Sequence, residues 1–422
     1  MAFSPTSLES DWPGPPLEPG RQARSLWAMD PELTFLNHGS FGAVPTPLLE
    51  RAASFRTAIE RNPVEGVWRA GIPGTRDAAI EVADFLGADG ARAAFISNAT
   101  AGMNAMLQSL PMEPGDEVLH VDQGYNAVWQ TLVQTGRRRD IVPRKVELPL
   151  PVRTTAEVVS AFTAAFTDRT RLLVLDQITS PTALVLPIRE IIDAATEAGI
   201  RTIVDGAHAP GMIDRAAAAA EGAVAWTGNL HKWPCALRGA AVITVAEGFE
   251  SIIKPPVISH HLDQSFAAEF DWQGTHDPTP WLLAPDAIRF MDRFGGWDSV
   301  RRRNHRMTVD AHVMLCDRLG VEPICPLDGS MTGFMATVEL PASLQPEHGG
   351  PPLSSSNAVP GPDGRPTIGL DPVHRRLLED HRIEVPVVTH DQKRFVRFSV
   401  HVHNHDEEYE RLADAILEIA SA

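Results

Sequence analysis

One segment of the chain carries an amine that could act as a nucleophile. In NLHKW (229–233), Lys232 follows an apolar run and lies between His231 and Trp233. A lysine held in a desolvated pocket has a lowered pKa, and its neutral amine can form a Schiff base with a carbonyl compound. Taken alone, the segment is equally typical of a surface lysine whose ammonium group stays in water.

A second segment places an acid and a histidine three residues apart. In VDGAHAPG (204–211), Asp205 ends an apolar run and His208 lies in the Gly-containing turn that follows. An acid at the end of a strand can keep a heterocyclic nitrogen protonated, as an electron-accepting pyridoxal phosphate (PLP) ring requires. A helix-capping aspartate and a structural histidine are the alternative interpretation.

A third segment resembles the start of a helix that could bind an anion. SNATAGMN (97–104) offers Ser97, Asn98 and Thr100 as donors or caps, followed by small residues. Free backbone N–H groups at a helix N-terminus suit a phosphate. An ordinary capped helix would have the same composition, so the order of the three segments is more informative than any one of them.

The elements that must position these residues are strands alternating with helices. Short apolar runs end just before Asn98, Asp122, Asp176, Asp205 and Thr227. Ile188, Ile191, Ile192 and Ala195 have the spacing of an amphipathic helix between two such runs. This alternation predicts βαβ units and a mostly parallel sheet, whose ligands bind at the carboxyl ends of the strands. The side chains expected at that edge are Asn98, Tyr125, Thr179, Asp205, His208 and Lys232.

Composition excludes several classes of protein. The chain has 422 residues, a net charge of −17 and 43% hydrophobic residues, which favours a globular protein and disfavours a nucleic-acid binder. It lacks a signal-peptide pattern and an apolar run near the ~18 residues that span a bilayer. Three cysteines indicate a reducing compartment. We therefore expect a cytoplasmic enzyme that acts on a small molecule, without nucleic-acid or membrane partners.

Seven segments together resemble a known family. They are FLNHGSFGAVP, SNATAGMN, ITSPTALVLPI, VDGAHAPG, GNLHKW, QGTHDPTPW and VRFSVHVHNHDEEYERL. From about residue 34 to the C-terminus the chain is similar to the class V aminotransferase family of PLP enzymes, and within it to the isopenicillin N epimerase-like branch. The resemblance implies an α/β fold of PLP fold type I with a mostly parallel seven-stranded sheet, and a homodimer with shared sites. It divides the chain into an N-terminal arm (1–33), a large PLP-binding domain (34–284) and a small C-terminal α+β domain (285–422) with a flexible loop at 344–372.

The resemblance also implies roles for individual residues. Lys232 is expected to form the Schiff base with PLP and to move the proton at Cα, and Asp205 is expected to bind the pyridine nitrogen. Arg397 is expected to bind the substrate α-carboxylate, which suits a forked guanidinium. The remaining residues expected around the cofactor are Ala99, Thr100, Thr179 or Ser180, His208, Asn229 and His231, together with Gly274 and Thr275, which are expected to reach the phosphate of the neighbouring subunit.

Some residues have weaker assignments. Tyr125 matches a ring that stacks on the cofactor opposite Lys232, where its hydroxyl could act as a second acid/base; a packed aromatic is the alternative. Asn37 and Ser40 are expected near the substrate, or else serve only the turn. We expect no metal, because the C-terminal histidines have no cysteine partner or recognised ligand spacing.

The resemblance leaves several reactions open. We expect epimerisation or racemisation, with carbon–sulfur (β-elimination) lysis or carbon–carbon bond formation as alternatives and transamination as a further one. A cysteine desulfurase needs a nucleophilic cysteine shortly before the carboxylate-binding arginine, whereas Cys325 lies 72 residues before Arg397. A non-catalytic PLP-binding regulator is the alternative from a different class, and it would be indicated by loss of Lys232 or Arg397.

Overall fold

The computed structural model describes residues 12, 15–348, 350, 358–360, 366–368 and 370–422. The rest of the predicted N-terminal arm (1–33) and of the predicted loop (344–372) lies outside the described residues. The α-helices are α1 Arg21–Arg24, α2 Thr46–Ile59, α3 Gly71–Leu86, α4 Ala99–Ser109, α5 Asn126–Arg139, α6 Thr155–Ala165, α7 Ile188–Glu197, α8 Phe266–Asp271, α9 Thr279–Leu282, α10 Ala284–Arg289, α11 Gly296–Leu319, α12 Pro372–Glu379 and α13 Glu407–Ser421.

The strands are β1 Thr34–Phe35, β2 Ala93–Ile96, β3 Glu117–Val121, β4 Val142–Val146, β5 Thr170–Asp176, β6 Arg201–Asp205, β7 Ala225–Asn229, β8 Ala241–Val245, β9 Met335–Glu339, β10 Ala358–Pro360, β11 Pro366–Ile368, β12 Ile383–Glu384, β13 Val387–His390 and β14 Lys393–Ser399. Seven of them form one sheet in the order β2-β8-β7-β6-β5-β3-β4. Strands β3 to β7 pair in parallel, and only β8 runs antiparallel to its neighbours β2 and β7. The predicted mostly parallel α/β fold is confirmed.

Helices cover both faces of this sheet. Successive residues of β5 point to opposite sides, so Leu173 and Leu175 pack in one apolar cluster while Leu172 and Val174 pack in another. The predicted helix between β5 and β6 is α7, which buries the apolar face that its spacing indicated. Burial on both faces explains why β5 contains a continuous apolar run, Leu172 to Leu175, rather than an alternating pattern.

A smaller antiparallel sheet, in the order β13-β14-β9, lies in the C-terminal part of the chain. Its apolar cluster includes residues of α11 and α13. The predicted boundary between residues 284 and 285 stays a prediction. None of the described helices combines the length and apolarity needed to cross a bilayer.

The parallel strands position the chemistry through their ends. Strand β5 ends at Asp176, β6 at Asp205 and β7 at Asn229, so three polar side chains meet at one edge of the sheet. Strand β14 of the small sheet contributes Arg397 from the opposite side.

Candidate active site

A cavity of about 740 Å³ opens at the carboxyl edge of the parallel strands. This volume is in the range that holds a cofactor together with a small substrate. The predicted site residues that line it are Ser40, Ala99, Thr100, Tyr125, Asp205, His208, Asn229, His231, Lys232 and Arg397. The tertiary fold therefore brings together residues that are up to several hundred positions apart in sequence.

Lys232 lies in the turn that follows β7 and presents its amine to the cavity. Its Nζ lies 3.1 Å from His208 Nε2. Burial, reinforced by the positive charge of Arg397, lowers the pKa of Lys232 to about 7, and the negative charge of Asp205 opposes this shift. A large fraction of the amine is thus neutral at neutral pH, as a nucleophile requires.

Asp205 is a buried carboxylate beneath the cavity, with 3% of its surface exposed. Burial raises its pKa, while the backbone N–H of Ala207, which donates to Oδ1 over 2.9 Å, and the charge of Lys232 lower it. His208 beside it is held neutral, because burial and the charges of Lys232 and Arg397 bring its pKa well below the ordinary value. A carboxylate in this setting can hold a protonated ring nitrogen.

The opposite end of the cavity suits an anion. The N-terminus of α4 opens on the cavity, and Asn98 caps it by accepting the N–H of Ala101 over 2.9 Å. Asn229 Oδ1 accepts the N–H of Ala99 over 2.8 Å, which ties β7 to this helix. His231 is hydrogen-bonded through Nδ1 to the backbone oxygen of Ala240 at 2.9 Å, and it lines the cavity. The positive end of the helix dipole favours a phosphate here.

Arg397 is held as a fixed guanidinium, with 5% of its surface exposed. Its Nη2 donates to Ser40 Oγ over 2.8 Å, and its Nη1 donates to the backbone oxygen of Ser180. Its buried Nε has no hydrogen-bond partner among the described residues. Burial lowers the pKa of Arg397 to about 10, so the group stays charged and can bind a carboxylate.

Thr179 does not line the cavity, in contrast to the expectation for it. Its hydroxyl is fully buried, accepts the N–H of Leu184 over 2.8 Å and lies 2.7 Å from Thr182 Oγ. These hydrogen bonds close the loop that follows β5 and occupy the hydroxyl of Thr179 within that loop. Ser180, the other candidate, lines the cavity instead.

Three more predicted residues lie outside the lining of this cavity. Asn37 turns away because its Nδ2 donates to Glu384 Oε1 over 2.8 Å. Gly274, in a left-handed conformation with φ of 114°, and Thr275 lie in the loop before α9. Their expected reach toward a neighbouring subunit stays a prediction.

The structure adds residues that sequence reasoning missed. Asp176, Ile178, Gly39, Ala207, Arg238 and Gly239 also line the cavity. Asp176 had a usable signal, because it ends an apolar strand as Asp205 does. Gly39 and Gly239 carry no such signal, since a glycine contributes only its backbone.

Four buried side chains form a cluster behind the lysine turn: His38, His401, His403 and Cys235. The sequence argument that the C-terminal histidines lack a cysteine partner was wrong, since Cys235 Sγ lies 3.7 Å from His401 Nε2. Burial lowers the pKa of all three histidines, so they are neutral. The Nε2 atoms of His38 and His401 lie 3.1 and 3.0 Å from the backbone oxygens of Lys232 and Trp233, where they donate N–H bonds. The Nδ1 atoms of His401 and His403 have no hydrogen-bond partner among the described residues, and one ring nitrogen from each of the three histidines lies within 4.8 Å of the others. The two donating Nε2 atoms cannot ligate a metal, and the absence of a metal stays our prediction.

The cavity fits PLP by the chemistry of its walls. The amine of Lys232, with a pKa near 7, suits the aldehyde of PLP, and the buried carboxylate of Asp205 suits its pyridine nitrogen. The N-terminus of α4 suits its phosphate. The fixed guanidinium of Arg397 suits the carboxylate of a substrate.

Comparisons with known proteins agree with this fit. The sequence model of the family described as Aminotransferase class-V matches residues 43–333. The chain is 31% identical to isopenicillin N epimerase of Amycolatopsis lactamdurans, over 94% of this chain and 98% of that protein. It is 28% identical to putative L-cysteine desulfhydrase 1 of rice (Oryza sativa subsp. japonica), over 90% of this chain and 82% of that protein.

A solved structure has the same fold. It is a C-DES mutant with glycine covalently linked to the PLP cofactor, and it superposes with a TM-score of 0.71 at 17% identity, covering 93% of this chain and 98% of that one. Cavity, fold and sequence thus lead to one conclusion. The chain belongs to the class V aminotransferase family, and it is a PLP-dependent enzyme.

Proposed function

We propose that this enzyme epimerises or racemises an amino acid, or a substrate that carries an amino-acid group, by moving the proton at Cα. The observation that carries the proposal is that an amine with a pKa of about 7, a phenol and a fixed guanidinium line one cavity. When bound, PLP supplies an electron sink for the charge left at Cα when one of its bonds breaks. Every other task falls to side chains of this chain.

Lys232 is the proposed acid/base on one face of the substrate. Its Nζ can hold a proton or release it near neutral pH, because its pKa is about 7. The neutral ring of His208, 3.1 Å away, can orient that amine without competing for a negative charge. Asp205, beneath the cavity, would hold the proton on the pyridine nitrogen.

Tyr125 is the proposed acid/base on the other face. It is the residue before α5, lines the cavity and is 46% exposed, so its hydroxyl is free to meet a substrate. Arg397 would bind the α-carboxylate and fix which face of Cα meets Lys232. Inversion at Cα requires one group that removes the proton from one face of the substrate and a second that returns it to the opposite face. An enzyme that exchanges the proton on a single face needs only Lys232.

β-Elimination at Cβ is the second candidate, and the similarity to the rice desulfhydrase supports it. A persulfide-forming desulfurase has less support. Its nucleophile must be an accessible thiolate, whereas Cys235, Cys316 and Cys325 are buried, and burial raises the pKa of each thiol, to about 11 for the last two. None of the three cysteines lines the cavity.

We also propose a cytoplasmic homodimer. Exposed apolar side chains support an interface between two subunits. They lie between α2 and α3 and in the loop before α8: Val64, Trp68, Val257, Ile258 and Leu262. The unpaired cysteines support a reducing compartment. Sedimentation of the purified enzyme tests the assembly, and a monomer at micromolar concentration would contradict it.

Incubation with a panel of amino acids in heavy water tests the reaction. Deuterium at Cα with inversion of configuration at that carbon supports epimerisation or racemisation. Release of a 2-oxo acid together with a Cβ leaving group, such as sulfide from cysteine, supports elimination. Exchange with full retention of configuration contradicts the two-face mechanism. Borohydride treatment followed by peptide mapping checks that Lys232 holds the cofactor, with Lys254→Arg as a control for labelling elsewhere.

A further inference from the structure

A second buried carboxyl group lies beside Asp205. Asp176 ends β5, and the register of the parallel pair places its Cα directly opposite that of Asp205 on β6. Both residues line the cavity, and they are 2% and 3% exposed. Neighbouring strands lie ~4.8 Å apart, and opposed residues share a face of the sheet. Two carboxylates so close together in a buried site cannot both stay ionised.

His120 lies on β3, which flanks β5 on the side away from Asp205 and β6. Its Nδ1 lies 3.2 Å from the backbone oxygen of Val174 and donates to it, so its Nε2 carries a lone pair. Neither His120 Nε2 nor Asp176 Oδ2 has a hydrogen-bond partner among the described residues. The two atoms lie 2.2 and 2.6 Å from the point that a Cβ on Gly124 would occupy, so only glycine fits between them. These distances keep the two acceptors within about 5 Å of each other, so a proton on either one would give this unpartnered pair a donor.

The surrounding charges place that proton on Asp176. Burial and the negative charge of Asp205 raise the pKa of Asp176 well above its ordinary value. Burial lowers the pKa of His120 to about 4; the charge of Lys145 adds to the effect, and the backbone groups of Val174 and Tyr125 oppose it. Asp205 is the better anion of the two carboxyl groups because it has the N–H of Ala207 and the charge of Lys232 beside it. The other charged or titratable side chains that line the cavity are Tyr125, the neutral His208, His231, Lys232, Arg238 and Arg397.

We propose that Asp176 is a positioning residue that stays uncharged, shares its proton with His120, and leaves Asp205 as the single negative charge available to the pyridine nitrogen. That single carboxylate would accept the N–H of the protonated pyridine nitrogen. A second carboxylate would raise the proton affinity of Lys232 and keep its amine as ammonium at neutral pH. The inference rests on the proposed role of Asp205 and deepens it.

Infrared spectroscopy without substrate tests the charge of Asp176 directly. At pH 7 the wild-type enzyme should have the carbonyl band of a protonated carboxylic acid, in both the cofactor-free and the PLP-loaded form. The band should disappear in D176N and persist in D193N, a surface control in which the ion-paired aspartate on α7 is changed in the same way. A wild-type spectrum without the band overturns the proposal, as does a band that D176N retains. Neither readout depends on which reaction the enzyme catalyses.

Absorbance titration of the PLP-loaded enzyme gives a second readout. Asparagine has the shape and charge of the protonated acid, so the midpoint of the cofactor absorbance should shift by less than about 0.3 pH units in D176N. Loss of a real buried charge would lower that midpoint by about 1 unit or more, and such a shift overturns the proposal. If D176N does not fold, H120L replaces it: removal of the acceptor should shift the carboxylic acid band, and an unchanged band contradicts the pairing.

Discussion

Arg397 offers the sharpest single perturbation of the proposed mechanism. Its guanidinium is 5% exposed and is fixed by Ser40 Oγ and by the backbone oxygen of Ser180, so it meets a substrate carboxylate already oriented and desolvated. In R397M the carboxylate would enter a buried site without a partner. The variant should therefore bind amino-acid substrates far more weakly.

The size of the effect follows from the burial of the pair. Truncating one partner of a buried, hydrogen-bonded charge pair costs about 2–5 kcal/mol, which corresponds to an increase in KM of about 30-fold or more. R397K keeps the positive charge but loses the forked guanidinium that can bind a carboxylate through two hydrogen bonds, so we expect its KM to increase by about tenfold. Since the charge of Arg397 helps to lower the pKa of Lys232, R397M should also move that pKa above about 7.

Steady-state kinetics with an amino acid and with the matching amine that lacks the carboxylate separate these effects. The loss in R397M should be confined to the amino acid, and the pH optimum should move upward. R318M, which removes a surface arginine paired with Asp414, is the control and should have wild-type kinetics. An unchanged KM in R397M, or an equal loss for the amine, would refute the assignment of Arg397 as the carboxylate site.

Further predictions concern the amine, the phenol, the thiols and the acid stability of the fold. Because the pKa of Lys232 is about 7, PLP uptake by the cofactor-free enzyme should slow about tenfold per pH unit below 7 and level off above it; stopped-flow absorbance measures this, and a flat profile contradicts it. Y125F should lose inversion by about 10²-fold or more while it retains exchange at Cα, whereas full racemase activity would remove Tyr125 from the mechanism. C316A and C325A should keep turnover within about twofold, as measured in the substrate panel, because neither thiol lines the cavity. Two arginines and a threonine hydroxyl overcome burial and lower the pKa of Glu117 to about 2 from 4.5, so its contribution to stability is complete above pH 4.5 and is lost as pH falls through 2. The Tm of E117Q should therefore be below that of wild type at pH 7 and converge with it in acid, and a constant difference would contradict the linkage.

The sequence by itself predicted the features that depend on patterns of neighbouring residues, such as strands, helices and motifs. Apolar runs that end in polar turns identified four of the five parallel strands, and the spacing of the isoleucines identified α7, because burial on one face or on both imposes a short-range pattern. The fifth, β4, was missed because its residues Val-Pro-Arg-Lys-Val are mostly exposed or half-buried and have no apolar run. The resemblance of these motifs, in their order, to the class V family indicated a PLP site. Lys232, Asp205, His208 and Arg397 were chosen by that resemblance, without a tertiary structure.

The tertiary structure decided how side chains from distant segments meet. Arg397 and Ser40 are 357 residues apart in sequence, and Cys235 lies 197 residues from His38, yet each pair is in contact. Thr179 and Ser180 have equal standing in sequence, and only the hydrogen bonds of their loop turn one inward and leave the other on the cavity wall. The pairing of Asp176 with Asp205 depends on strand register, and the approach of His120 Nε2 and Asp176 Oδ2 to the backbone of Gly124 depends on its missing side chain. Register and close approach are properties of packed strands, so no local pattern of residues could have predicted them.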